Sequence, residues 1–462
     1  MRQPIEQLYP NDQDWQQLCQ KLKTAITLTI LVLTAWQMGL WVARTLVEQQ
    51  LTERGQSQDE RNYCSVCRTP LVSKGFAKRR MLTLVGEIHW KRRVRRCPRH
   101  CRDNHKALSD EVLGISAHQQ TSTELVRLGC LLAVFLPFEL AASILQQLSG
   151  VSVSDSTIWN WVQAVGQQAK TQLETQLEDF SHEKIVQMEA LDSTLEAMPL
   201  IIAADGVTVP FRPQPKTPKG KIVWREVKVA LFARLGKHQT KAGEIVSRLH
   251  QRRCVAVLGT IDDLKPRLQL EAMRQGMKTA PQVAWISDGA RGFWRLYQEC
   301  FARGAIGILD FYHAAQHLWK AASAYQDGNP TRTPQQWFEQ MRHRLRHGFV
   351  KPLLRELHQL SRYCSTSENT RIILRQVRNY LKTHLEHIQY RKFKKLGLPI
   401  GSGMVESACK WLIQQRFKGV GMRWSEDGFN HLLYLRLAWI NQRFDPLFGA
   451  QPSVPILYSP KR

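Results

Sequence analysis

The chain has 462 residues, room for two to four domains and a large core. It carries 65 Lys+Arg against 39 Asp+Glu, a formal charge of +26, which points to a polyanionic partner: nucleic acid first, an anionic membrane second. Its 10 cysteines, four of them in two close pairs and the rest single, argue against a secreted disulfide scaffold and fit a reducing cytosol with one metal site.

Residues 1–55 read as one or two helices ending at Gly55. Within them Thr24 to Ala43 carries no charge over 20 residues, long enough to span a bilayer. Six polar or small residues dilute it (Thr24, Thr27, Thr29, Thr34, Gln37, Gly39), and the helical pattern continues on both sides. A buried or oligomer-forming helix is therefore expected in place of a membrane span.

Residues 56–106 change texture. Cys64-x2-Cys67 and Cys97-x3-Cys101 flank a segment that alternates apolar and polar, with Gly86 as a turn. Two thiolate turns on short strands predict a zinc ribbon with all four positions filled; His100 is a less well-spaced alternative to Cys101. The segment is strongly basic, so it is expected to touch phosphate as well.

Residues 107–185 turn helical. Phe138 to Leu148, a turn at Ser149 to Ser152, and a second helix from Ser154 to Val165 give helix-turn-helix spacing. Ser156, Thr157, Asn160 and Gln163 could reach base edges while Ile158, Trp161, Val162 and Val165 pack inward. Two helices joined by a glycine turn also occur in any bundle.

From Ile185 the period becomes that of strands. Leu200 to Ala204 runs into Asp205, and Val223 to Leu235 and Cys254 to Leu258 follow. A helix spans Asp263 to Met277, Val283 to Ile286 runs into Asp288, a helix spans Gly292 to Arg303, and Ala305 to Leu309 ends at Asp310. Strand, strand, strand, helix, strand, helix, strand is the element order of an α/β ribonuclease-H-like core, which sets the fourth strand beside the first. That core is expected over 186–328 and 394–444, interrupted by an all-helical insertion at 329–393 and followed by a loose tail at 445–462. In the last part of the core, Val405, Ala408, Cys409, Leu412 and Ile413 form an apolar helical face with Glu406 in the first turn on the other side. The exit FKGVGMRW is basic.

Three carboxylates lie in matching elements: Asp205, Asp288 and Glu406, separated by 83 and 118 residues. Phosphodiester cleavage without a covalent enzyme intermediate is well served by two divalent ions about 4 Å apart, and hard oxygen ligands select magnesium or manganese. Asp310 competes with Asp288, since both end predicted strands, and Asp192 with Asp205; in the expected fold Asp310 would sit one strand further out, about 10 Å from the first, which favours Asp288, and Asp192 lies before the apolar run, which favours Asp205. Any one of them alone would read as a surface carboxylate.

The blocks AADGVTVPFR, WREVKVALF, ISDGARGFW, LDFYHAAQHLW and GSGMVESACKWLIQQRFKGVGMRWSEDG resemble the DDE transposases of bacterial insertion sequences, most closely the ISKra-type family. Asp310-Phe-Tyr-His313 is similar to a signature of Mutator-like transposases. The resemblance implies a cytoplasmic, nucleoid-associated bacterial enzyme that binds the terminal inverted repeats of its own element. It would cut DNA to free a 3′-hydroxyl and join that end to a target. It further implies two magnesium (or manganese) ions held by Asp205, Asp288 and Glu406, and a homodimer or larger assembly on DNA. No membrane partner is expected. His313 would be an auxiliary group or a packed core histidine. Phosphate contacts are expected from Lys216, Lys219, Lys221, Lys410, Arg416, Lys418 and Arg423. A regulator that binds DNA without cutting it, or a nuclease without strand transfer, remains the alternative.

Overall fold

The structure is a computed structural model. It describes residues 5–56, 63–64, 66–101, 107–213, 221–325, 332–362 and 367–449. The chain divides into two compact units, Met1–Val162 and Gln163–Arg462.

In the first unit, α1 (Gln13–Lys23) and α2 (Leu28–Gln56) pack through Trp15, Cys19, Met38 and Trp41. The aromatic contacts there include Trp15 and Trp41 with ring centroids 4.9 Å apart. α2 bears on the expectation of a buried or oligomer-forming helix. It is long and apolar enough to cross a membrane by length and composition, but only 17% of its apolar window is buried. Leu28, Leu31, Val32, Leu33 and Trp36 are exposed. Those side chains point away from the stripe that α1 covers, so the helix is not a buried core element.

β1 (Val72–Thr83) and β2 (Gly86–Arg96) form an antiparallel hairpin. Its core side packs Met81, Ile88 and Trp90 with Leu51 and Ile115. Two of its arginines are committed internally: Arg79 and Arg92 both bind the buried carboxylate of Asp110, at 2.5 and 2.6 Å. Lys78, Arg80, Lys91 and Arg99 remain exposed.

α3 (Thr123–Phe135), α4 (Phe138–Ser149) and α5 (Asp155–Ser181) follow. Gly150, at φ +74°, closes α4 in the left-handed conformation that glycine adopts at least cost. Ser154 caps α5, its Oγ accepting from the Thr157 amide at 3.1 Å. The second helix of the predicted pair exists but runs to Ser181, well past the expected Val165. Its inward stripe is as expected: Ile158 and Val162 are fully buried and Val165 nearly so, while Trp161 packs against the cluster of Leu125, Leu145 and Val151.

The second unit is built on a five-stranded mixed sheet of order β5-β4-β3-β6-β7. β3 (Leu200–Phe211) pairs antiparallel with β4 (Val223–Gln239) and parallel with β6 (Val283–Ser287). β5 (Ile245–Leu258) lies outside β4, and β7 (Ile306–Leu309) outside β6. Leu200 to Ala204 are all buried, as a strand covered on both faces requires. α6 (Ile261–Arg274) carries the chain from β5 back towards β6. After β7, α7 (Phe311–Tyr325) is followed by α8 (Pro334–Arg346), α9 (Val350–Arg362) and α10 (Glu368–Thr383), with no strand among the described residues of that stretch.

Two side chains tie the helical stretch to β7. The Tyr390 hydroxyl donates to the Leu309 carbonyl at 3.0 Å, and His387 Nδ1 lies 3.0 Å from the Gly307 carbonyl. On the far strand, Asn441 binds Cys254 twice: its Oδ1 accepts from the backbone amide and its Nδ2 donates to the carbonyl, both at 2.8 Å. Asn441 directly follows the closing helix α12 by sequence, where α11 is Gly403–Ala408 and α12 is Glu426–Ile440.

Candidate functional site

Parallel pairing of β3 with β6 places Ala204 opposite Ser287. The next residues are Asp205, midway along β3, and Asp288, just past the end of β6, so the two carboxylates lie at one level on neighbouring strands, about 4.8 Å apart in backbone spacing. Both side chains are half-buried. Asp205 Oδ1 accepts from the Gly206 amide at 2.7 Å, and Asp288 Oδ1 from the Ala290 amide at 3.0 Å. The indole of Trp294 donates to the Asp288 carbonyl at 2.6 Å and fixes the backbone there.

Glu406 lies in α11, which continues through a π-helical turn (Cys409–Gln414) into Gln415–Phe417. Val405, Ala408, Cys409, Leu412 and Ile413 are buried, so the predicted apolar face is the one that packs. Ser402 is the N-cap residue, and its hydroxyl donates to Glu406 Oε1 at 3.0 Å.

Burial raises the Asp205 carboxyl above its ordinary range. The Asp288 and Glu406 charges push the same way, while the Gly206 amide and His313 pull against them. Asp288, Glu406 and His313 are therefore near enough to Asp205 for their charges to act on it. Among the described residues, the group of metal-capable side chains whose ligand atoms all lie within 4.8 Å of one another is a different cluster. Hard oxygen donors with a shared excess of negative charge fit a divalent cation such as magnesium.

Asp310 is fully buried. Its Oδ1 accepts from the His313 amide at 2.6 Å and its Oδ2 from the Ser402 amide. It thus caps α7 and anchors the loop that leads to Glu406. His313 is half-buried on α7.

The tighter cluster is Cys64, Cys67, Cys97 and Cys101, which converge at the open end of the β1–β2 hairpin. Cys67 and Cys97 Sγ lie 3.4 Å apart, and Cys97 and Cys101 3.7 Å apart. Four sulfurs around zinc at about 2.3 Å would stand about 3.8 Å apart, so the thiols present fit that ion. Each pair sits on a tight turn: Arg68 donates to the Cys64 carbonyl at 3.0 Å and His100 to the Cys97 carbonyl at 3.1 Å. Both turn residues have positive φ, +60° and +53°. The His100 ring lies against Arg96 and outside the cluster. Hydrogen bonding to Thr69 brings the Cys67 thiol down to about 6, and Cys101, hydrogen-bonded to Cys67, is pushed up to about 12.

The predicted DNA contacts divide. Asn160, Lys221, Lys410 and Arg423 are exposed. Lys418 is half-buried, with its ammonium 5.5 Å from the centre of the exposed Trp224 ring. Lys216 and Lys219 lie outside the described residues. Arg416 is a correction: it is 2% exposed, because it shares the helical stripe of Leu412, Ile413 and Phe417, and it packs over Trp424 at 5.4 Å. Gln163 is a second correction. It is half-buried, and its Oε1 is held by His431 Nδ1 at 2.7 Å rather than presented to a groove.

Sequence reasoning missed Tyr380. It stacks on His317 with ring centroids 3.9 Å apart and packs so closely on Gly289 that a Cβ there would collide with its hydroxyl. Burial, together with the Asp288 and Asp310 charges, raises its pKa. Only long-range packing brings it there, and no local signal marks it.

Comparison with models of known protein families finds no match, and comparison with curated proteins finds none. Among solved structures, the Drosophila P element transposase strand transfer complex is similar over 73% of this chain and 96% of that chain, at 10% sequence identity and a TM-score of 0.31. A likeness that slight carries neither fold nor activity across.

Proposed function

We propose that the protein is a DDE transposase with a ribonuclease-H-like catalytic core, which binds the ends of its own element, cuts DNA and transfers the freed strand. The observation that carries the reading is the β3–β6 register, which sets Asp205 and Asp288 at one level on neighbouring strands, with the Glu406 charge adding to the burial that raises the Asp205 pKa. The sheet order, with β3 between an antiparallel and a parallel neighbour, is the one this core requires. The charge of +26 suits a DNA partner.

Asp205, Asp288 and Glu406 would hold two magnesium or manganese ions, and bound there such ions supply Lewis-acid stabilisation of the attacking and leaving oxygens. The chain's own residues do the positioning. Trp294 and the Ala290 amide fix Asp288, and Ser402 orients Glu406. Asp310 acts on the site through Ser402 and is a positioning residue. Structural zinc would be held by Cys64, Cys67, Cys97 and Cys101. Because two element ends must meet, the working form is a homodimer or larger assembly in a bacterial cytoplasm.

The test is incubation of the full chain with DNA carrying the native element ends, magnesium and a target plasmid, with products mapped at nucleotide resolution. Joined ends support the reading. Cutting without joining gives a nuclease, and end binding without cutting gives a regulator.

A further inference from the structure

α2 is apolar on two opposite sides. Thr34, Met38 and Trp41 recur at helical spacing and form its buried stripe, with Met38 and Trp41 packed against α1. At about 100° per residue, Leu28, Val32, Trp36, Gly39, Ala43 and Leu46 fall on the other side. The large side chains among them are exposed, Leu28 by 75% and Val32 by 56%. Leu31 and Leu33 flank that stripe and are exposed as well. No charged residue falls between Thr24 and Ala43. A helix that is apolar all round is buried in protein or spans a membrane, so the open side calls for an occupant.

α1 argues against a bilayer. The Lys21 ammonium donates to Gln37 Oε1 at 3.4 Å, inside the uncharged run of α2. Insertion would carry that ammonium into hydrocarbon or strip α1 from the Trp15–Trp41 contact, and either is costly.

A second copy fits the face. Leu28, Leu31, Val32, Leu33, Trp36 and Leu46 together leave roughly 600 Å2 of apolar surface on one copy, about what each partner of a stable interface buries at the lower end of the range. Ala35, Gly39 and Ala43 recur every four residues, and a Cβ at Gly39 would meet nothing within 4 Å. Small residues on an open face let two helix backbones approach closely. The net charge of +26 makes copies repel, and a face without charge is where that repulsion is weakest.

We propose that the open face of α2 pairs with the same face of a second copy, around a two-fold axis near Gly39, before any DNA is bound. An isologous contact of this kind needs only the one face. For its purpose the pairing rests on the assembly proposed above, but the claim is separate: the interface is α2 and it forms without DNA.

The test is sedimentation equilibrium of the full chain without DNA, at low and high salt. A dimer is expected, tighter at high salt because screening relieves the repulsion between copies. Val32→Glu places one carboxylate from each copy in the contact and should weaken pairing about a hundredfold. Gly39→Leu keeps the face apolar and points into open space, so far-UV circular dichroism should be unchanged while pairing weakens about tenfold. Ile245→Glu, exposed on β5, should leave pairing as it is. A monomer at every salt, a dimer that Val32→Glu and Gly39→Leu leave intact, or tighter association of Gly39→Leu overturns the proposal. Flotation with phosphatidylcholine–phosphatidylserine vesicles that Val32→Glu abolishes also overturns it, since the face would then be a lipid anchor. A chain that pairs through α2 but never cuts or joins DNA keeps the interface and sinks the function; a chain that joins ends yet stays monomeric without DNA does the reverse.

Discussion

Cys64 and Cys67 meet Cys97 and Cys101 across a single hairpin, whereas Asp205 meets Asp288 only through the register of a five-stranded sheet and Glu406 only through a helix 118 residues further on. The thiols already stand at ligand spacing. A closed structural site is fixed by local chain geometry, and its ligands need only two tight turns. A site drawn from two strands and a distant helix depends instead on the register of the whole sheet. Burial in that sheet raises the Asp205 pKa first, and the Asp288 and Glu406 charges add to the rise.

The contrast breaks first at the carboxylates. Asp205→Asn, Asp288→Asn and Glu406→Gln should each lower strand cutting by about a thousandfold with end binding largely kept, since each removes an oxygen ligand. If Asp288→Asn cuts normally and Asp310→Asn keeps its fold but is inert, the second carboxylate is misassigned. Metal analysis of freshly purified, reduced protein should find about one zinc per chain, and Cys64→Ser should release it and raise hydrogen exchange across β1 and β2. Protein without zinc would remove the contrast altogether. Asp310→Ala leaves two amides unpaired and should cost about 2–4 kcal/mol of stability by denaturant unfolding, more than the same change at Asp205.

Asp205 offers a finer probe. Its folded pKa is raised, so the folded state holds its proton to higher pH than the unfolded state does, and stability falls as pH rises through the window above the ordinary aspartate value. Asp205→Asn should remove that fall and raise the melting temperature at neutral pH in EDTA. Magnesium should narrow the difference by stabilising the wild type alone; a melting temperature unmoved by magnesium counts against ion binding there. The smallest effect is electrostatic. Neutralising Lys216, Lys219 and Lys221 together should weaken binding to end and scrambled DNA alike and lower the salt slope by about 0.9 for each phosphate no longer neutralised. Asn160→Ala should instead reduce preference for the ends and leave the slope nearly unchanged.

What the sequence made legible follows period and turn chemistry. The apolar run Leu200–Ala204 and the Gly150 turn are local signals, and the structure has a strand and a helix end at those places. Arg416 was also legible, since it falls three and four residues from Ile413 and Leu412, but the charge of the basic exit drew it to the surface reading. Gln163 was not, because its partner His431 is 268 residues away. The role of Asp310 needed the hydrogen bond from Ser402, 92 residues on. β5 was foreseen only from Cys254, yet it begins at Ile245. Its first half is polar and mostly exposed, and it is a strand because β4 extends to pair with it.

The bonds at the two outer strands have a consequence for handling the protein. A sheet edge with free amides and carbonyls is a template for another chain. Here Tyr390 and His387 occupy carbonyls of β7, and the Asn441 amide imitates a neighbouring strand at Cys254. A fragment of the second unit trimmed of the helical stretch, or cut before Asn441, would therefore bare a pairing edge and self-associate, and that aggregation would be easy to mistake for a specific assembly.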